Sequence, residues 1–188
     1  MNEVKGLIPI NMIISITGFM GCGKSSIGRK LSKLLCCPFM DLDEMIEDEA
    51  GKSIPEIFAE VGESGFRKME HRILSSVLSV KTEEGTTSKI LEIISLGGGT
   101  VMTRECAEIV RERTLCVYLR ASIQTLAEHL EGETQGRPML SGNVQERITE
   151  LMAQRAATYE STAHVIIDID GKSVDEVAEA VIDSLSRL

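Results

Sequence analysis

Residues 18–25 of this chain read Gly18-Phe19-Met20-Gly21-Cys22-Gly23-Lys24-Ser25, a complete G-x-x-x-x-G-K-[ST] octapeptide. Glycines at these intervals let the backbone curl so that successive N–H groups point inward at a polyphosphate. A helix that follows presents its positive N-terminal end to the same anion. Lys24 then reaches the β- and γ-phosphates, and the Ser25 hydroxyl is placed to ligate Mg2+. Ser26 behind it serves helix packing or an α-phosphate contact. A glycine-rich turn could match by accident, but the flanks agree with the functional reading. Met12-Ile13-Ile14-Ser15-Ile16-Thr17 reads as a buried strand and residues 27–35 as a helix, the strand–loop–helix setting this loop needs.

The 188 residues suit a single domain that buries its own core. Apolar residues make up 43% of the chain, yet there are only four Phe, two Tyr and no Trp. The core must therefore come from Ile, Leu, Val, Met and Ala, as alternating strands and helices would build it. The formal charge of -9, with no Lys/Arg block, argues against nucleic acid or an anionic membrane surface as a partner. An acidic chain can still hold a small anion by focusing a few arginines in a cleft. The five cysteines, Cys22, Cys36, Cys37, Cys106 and Cys116, form no C-x-x-C pair, and no His stands at metal-ligand spacing. That pattern points to reduced thiols and a cytoplasmic location. Cys22, beside Lys24 and a helix N-terminus, is expected to have a depressed thiol pKa. The apolar run 7–20 lacks a basic n-region and a small-residue cleavage pattern, so it is read as the approach to the phosphate loop and not as a signal peptide. No stretch approaches the roughly 18 apolar residues of a membrane span.

Residues 1–11 are read as a short preamble without assigned function, and 12–188 as one domain. The expected elements after the first strand and helix are a strand at 37–41, short helices at 42–50 and 54–61 divided by Gly51, and a longer helix at 65–80. A polar surface loop follows at 81–89, then a strand at 91–96 that ends in Gly97-Gly98-Gly99. A helix at 104–113, a strand at 115–119, helices at 123–130 and 145–159, a strand at 165–169 and a helix at 174–185 complete the pattern. The polar, glycine-containing stretch 131–138, within a segment of about 131–143, is expected to be a mobile lid. Five strands alternating with helices imply a three-layer α/β fold: a five-stranded parallel sheet with helices on both faces and ligands at the carboxyl ends of the strands.

Asp41 and Asp43 flank Leu42 at the end of the second strand, where alternation would put both carboxylates on one side. Near a phosphate loop one can sit close to Mg2+, through water, and the other can accept a hydroxyl proton. Asp43 could equally be the N-cap of a helix that begins at Glu44. Arg67 and Glu70, at i,i+3, share a helix face. They form either a solvated surface pair or a carboxylate orienting a guanidinium that grips a substrate carboxylate bidentately. Arg155, four residues before Tyr159, is a second candidate for that anion. Gly97, Gly98 and Gly99 offer backbone N–H groups that a ligand can approach closely. Arg137, before Pro138 in the lid, could neutralise charge on the transferring phosphate.

Taken in order, Gly18 to Ser25, Asp41-Leu42-Asp43, Phe66-Arg67-x-x-Glu70, Gly97-Gly98-Gly99, Arg137-Pro138 and Arg155-x-x-x-Tyr159 resemble the shikimate kinases across essentially the whole chain. Each motif is weak alone and the ordered set is strong. The resemblance implies a small P-loop domain of the nucleoside-monophosphate-kinase type, with a mobile lid. The implied enzyme is monomeric and Mg2+-dependent, and transfers the γ-phosphate of ATP to the 3-hydroxyl of shikimate on the route through chorismate to the aromatic amino acids. By matching motif, Asp43, Arg67, Gly98, Gly99 and Arg155 would bind shikimate, with Arg67 and Arg155 on its carboxylate and Asp43 as the candidate base. Gly21, Cys22, Gly23, Lys24, Ser25 and Ser26 would cradle ATP, Ser25 would bind Mg2+ with Asp41 in support, and Arg137 would close onto ATP. Lys24, Asp43 and Arg137 would be the catalytic groups.

Residues 130–136 contain no Lys or Arg, whereas many members of the family carry basic residues there, including an arginine packed on the adenine. Adenine recognition then falls to apolar packing from the lid and to the loop Asp170-Gly171-Lys172-Ser173, with weakened or altered purine selectivity expected. Competing readings are a kinase of another small hydroxy acid such as gluconate, and a nucleotide-binding module without turnover. The set Asp43, Arg67 and Arg155 speaks against the first, and the intact Lys24 and Ser25 against the second.

Overall fold

The strand ahead of the phosphate loop, β1 (Met12–Thr17), is buried at every position after its first residue. A strand covered on both faces has no polar side to show, which is why its sequence is a continuous apolar run and does not alternate. It lies at the centre of a five-stranded sheet in the order β2-β3-β1-β4-β5. Its neighbours are β3 (Ile90–Ser95) and β4 (Leu115–Arg120), with the short strands β2 (Phe39–Asp41) and β5 (Val165–Asp168) at the edges, and all pairings are parallel. The computed structural model describes residues 12–79, 90–130 and 143–187. The preamble at 1–11, the polar loop at 81–89 and the lid with Arg137 lie outside the described residues.

Seven helices connect or follow these strands among the described residues: α1 (Lys24–Leu35), α2 (Leu42–Ala50), α3 (Ile54–Val77), α4 (Arg104–Arg113), α5 (Ile123–Leu130), α6 (Val144–Thr162) and α7 (Val174–Leu185). The chain leaves β1 toward one edge of the sheet and leaves β3 toward the other. Right-handed crossovers then put α1 on one face and α4 on the opposite face. Packing follows that division, with α7 against α1, and with α3 and α6 against α4. The reversal of direction beside β1 opens a crevice at the carboxyl ends of β1 and β3, where sheets of this kind hold ligands. The fully buried Ile14, Ile16, Leu31, Ile93, Val117 and Val181 anchor the two faces, and each such side chain contributes about 1.5–3 kcal/mol by leaving water.

Several boundaries differ from the sequence expectation, each for a local reason. Helix α1 begins at Lys24, not residue 27, because the last residues of the phosphate loop already form its first turn. Strand β2 begins at Phe39, not residue 37. Cys36 takes a left-handed conformation (φ 51°), Cys37 N donates back to Ser32 O at 3.1 Å, and ladder pairing starts only with the Pro38 carbonyl, which accepts from Ile93 N at 3.0 Å. The helices expected at 54–61 and 65–80 are one element, α3, broken at Gly62, where φ 67° and ψ 179° leave the helical region. Helix α6 continues past residue 159 to Thr162, and β5 stops at Asp168, one residue early.

Candidate active site

The phosphate loop is built by the abrupt passage from β1 into α1. Gly23 sits at the helix N-cap with φ 84°, a conformation that any Cβ would strain, and its carbonyl accepts from Ile27 N at 2.9 Å to start the helix. Lys24 is 9% exposed, and its ammonium donates to the carbonyls of Gly18 and Phe19 at 3.1 and 3.0 Å, which holds the charge over the loop. His129, near the end of α5, reaches the loop from the other side, with Nδ1 2.9 Å from Gly21 O.

Behind the loop, Ser25 Oγ donates to Asp41 Oδ2 at 2.5 Å, and Ser95 Oγ lies 3.4 Å away. The other Asp41 oxygen accepts from Asp43 N at 3.1 Å, so Asp41, and not Asp43, is the N-cap of α2. Strand alternation is therefore not what brings the two carboxylates to one place. The strand ends at Asp41 and α2 begins at Leu42, which is buried. Asp43 thus points from the first turn of a helix. Burial raises its carboxyl from 3.8 to about 6; Asp41, Glu70 and Glu47 push in the same direction, and Lys24 opposes them.

Arg67 and Glu70 form no surface pair. Glu70 is fully buried and accepts from Arg67 Nη1 at 2.7 Å with one oxygen and from Thr100 Oγ1 at 2.6 Å with the other. Glu63 adds a longer contact to Arg67 at 3.6 Å. The turn after β3 fits closely around this cluster. A Cβ on Gly97 would stand 2.6 Å from Asp43 Oδ1 and 3.2 Å from Glu70 Oε1, and one on Gly99 would run into the Arg67 guanidinium. A side chain at either position would push these carboxylates and the guanidinium from their places, which glycine leaves undisturbed. Arg155, 7% exposed, lies over the Phe19 ring at 6.0 Å and beside the Tyr159 hydroxyl. The Tyr159 hydroxyl donates to Gly98 O.

These elements enclose a cleft of ≈ 950 Å³. Gly21, Gly23, Lys24, Ser25 and Ser26 line one part of it, and Asp43, Arg67, Gly98, Gly99 and Arg155 another. Asp41 supports Ser25 from behind. Cys22 departs from the expectation: its thiol is 1% exposed and packs against Gly18 under the loop, and burial raises its pKa despite the pull of Lys24. It is not among the described residues that line the cleft, and its buried thiol is not poised as a thiolate. The loop 170–173 is tied into the scaffold, with Asp170 accepting from Ser122 N at 2.9 Å and Lys172 Nζ donating to Asp168 O at 2.6 Å.

Sequence reasoning missed His129 and Thr100 as parts of the site and left Tyr159 without a role. His129 had no signal at all. Tyr159 and Arg155 had one, since the buried residues Ile148, Leu151, Arg155, Tyr159 and Thr162 make a single stripe on α6. A charge on a buried stripe calls for a purpose.

Comparison with known proteins bears on the whole of this arrangement. The family model described as shikimate kinase matches residues 20–186. The chain belongs to the shikimate kinase family. It is 38% identical over 174 residues to a shikimate kinase of Dictyoglomus turgidum, covering 92% of this chain and 96% of that one. It is 39% identical over 175 residues to a shikimate kinase of Thermus thermophilus, with 93% and 90% covered. A solved shikimate kinase from Acinetobacter baumannii, in complex with shikimate, superposes with a TM-score of 0.83 at 27% identity over 93% of both chains. The parallel five-stranded α/β architecture is thus that of the family, whose members are ATP-dependent kinases, and this chain is an enzyme of that kind.

Proposed function

We propose that the cleft transfers the γ-phosphate of ATP to the 3-hydroxyl of shikimate, with the division of work among its residues as follows. Arg67 and Arg155 hold the shikimate carboxylate, a planar anion that matches two guanidinium groups. The N–H groups of Gly98 and Gly99 face the ring hydroxyls, and Asp43 accepts the proton of the attacking hydroxyl. The backbone from Gly21 to Ser26 cradles the phosphates, and Lys24 stabilises the charge carried by the transferring group. Arg137 joins them from the lid.

The donor set around Ser25 and Asp41 consists of hard oxygens 2.5 Å apart. It suits Mg2+, which takes one or two protein oxygens and keeps water and phosphate for the rest. When bound there, Mg2+ would supply neutralisation of phosphate charge. Cys22, Cys36, Cys106 and Cys116 are unbridged thiols, which supports a reducing, cytoplasmic setting. No helix among the described residues is long and apolar enough to cross a membrane.

The observation that carries this reading is the convergence of one buried arginine, Arg155, one partly buried arginine, Arg67, and a raised carboxyl on one glycine turn beside the phosphate loop. Gluconate also carries a carboxylate that guanidinium groups could hold, so what speaks against a gluconate kinase is the match of residues 20–186 to the shikimate kinase family. A coupled ADP-release assay with Mg-ATP tests it. Turnover with shikimate, and only background with gluconate or no acceptor, is expected; equal turnover with gluconate overturns it.

A further inference from the structure

The Gly98 peptide is shared between the two halves of the cleft. Gly98 lines the cleft, and its Cα lies against the phosphate loop, so that a Cβ there would stand 3.2 Å from Met20 N and 3.7 Å from Gly18 O. Its carbonyl accepts from Tyr159 Oη. The same hydroxyl has the Arg155 guanidinium beside it. Tyr159 itself is rigid: it is fully buried and stacks on Tyr118 with ring centroids 5.1 Å apart and planes 24° from parallel.

A buried tyrosine always seeks a partner for its hydroxyl, and a scaffold carbonyl would satisfy it. Here both neighbours of the hydroxyl face the cleft. A phenol that donates to one and accepts from the other couples their positions. We propose that Tyr159 is a positioning residue for the acceptor: its hydroxyl fixes the Arg155 guanidinium and the Gly98 peptide relative to each other. The carboxylate and the ring hydroxyls of the acceptor are then gripped at one set separation. Without the hydroxyl, Gly98 is flanked by two glycines and its peptide can rotate at low cost. The arm through Arg67, Glu70 and Thr100 is anchored independently, so the effect is confined to one side of the carboxylate. The inference rests on reading the cleft as a shikimate site.

Tyr159→Phe keeps the ring, its volume and the stack on Tyr118, and removes only the hydroxyl. The assay uses the full chain with Mg-ATP, reads KM for shikimate and for ATP separately, and includes thermal unfolding. Val181→Ala, a buried change on α7 away from the cleft, shows what lost stability does by itself. In Tyr159→Phe, the KM for shikimate rises about tenfold, as for a hydrogen bond to a charged partner. The KM for ATP stays within about twofold, and Val181→Ala leaves both values unchanged while lowering Tm. An unchanged shikimate KM in Tyr159→Phe overturns the proposal. So does a parallel rise in both KM values, or the same rise in Val181→Ala. A wild-type chain without shikimate-dependent turnover overturns the shikimate reading itself, and is seen before any substitution is compared.

Discussion

Arg67 Nη1 donates to Glu70 Oε2 at 2.7 Å across one turn of α3, and the acceptor carboxylate is buried beneath the turn that follows β3. Glu70 Oε1 is occupied by Thr100 Oγ1 at 2.6 Å, so the carboxylate joins the clamp to the turn. Removing one member of a buried pair costs more than the pair contributes, because the other charge is stranded. Glu70→Gln keeps one acceptor oxygen and turns an amide toward the guanidinium or toward Thr100. We expect a loss of stability on the order of 3 kcal/mol in urea unfolding and a shikimate KM raised about tenfold, with ATP binding unaffected. A variant with unchanged shikimate KM would show that Arg67 holds its orientation without Glu70.

As the proposed proton acceptor, Asp43 is expected to set the acid side of the pH profile. Burial first, then Asp41, Glu70 and Glu47, raises its carboxyl to about 6, against the pull of Lys24. A protonated carboxyl accepts no proton from the acceptor, so kcat/KM falls about tenfold per pH unit below about 6. For stability the sign is opposite. The folded pKa lies above the unfolded one, so folding favours the protonated form. That contribution is present below about pH 4 and is lost as pH rises through 6. The ionised group costs on the order of 3 kcal/mol at pH 7.5. Asp43→Asn is therefore expected to be more stable than wild type at pH 7.5, by less at pH 5, while losing about 10²–10⁴-fold in turnover. Urea unfolding at the two pH values checks the stability half, and an equal gain at both would contradict it.

Among the described residues Cys36 is the exposed thiol, and Cys22, Cys37, Cys106 and Cys116 are buried. Burial raises the thiol pKa of Cys22, Cys106 and Cys116. Alkylation of the native protein is expected to mark Cys36 alone, and all five cysteines only after unfolding. Peptide mapping by mass spectrometry reads this out. Native labelling of Cys22 at a rate like that of Cys36 would restore the thiolate that its place beside Lys24 had implied.

The phosphate loop and sheet were legible because both are written in local patterns: a glycine spacing for the loop, and apolar runs cut by turn residues for the strands. Asp41 and Asp43 were placed together for the wrong reason. Strand alternation predicts two carboxylates on one side, but the helix begins between them, and the cap belongs to the residue whose side chain turns back onto Asp43 N. Arg67 and Glu70 left two readings open, a solvated i,i+3 pair or a carboxylate orienting a guanidinium, and the burial of the glutamate removes the first. Tyr159 had its place on the stripe of α6 to mark it, but its partner and that of Thr100 were opaque, because they lie 61 and 30 residues away in the chain. Cys22 misled because proximity to a lysine and a helix end is a sequence fact, whereas desolvation is a tertiary one. His129 meets Gly21 across 108 residues, and no spacing rule reaches that far.

The central claim is that the guanidinium of Arg67 grips the acceptor in a cleft that phosphorylates shikimate. The most direct measurement is ADP release as a function of shikimate concentration at saturating Mg-ATP, for wild type and Arg67→Ala. Saturable, shikimate-dependent turnover is expected in wild type. In Arg67→Ala, kcat/KM for shikimate drops about 10²-fold or more, as for loss of a buried charged contact, and the KM for ATP is retained. Turnover in Arg67→Ala equal to wild type would contradict it, as would a wild type that releases ADP without regard to shikimate.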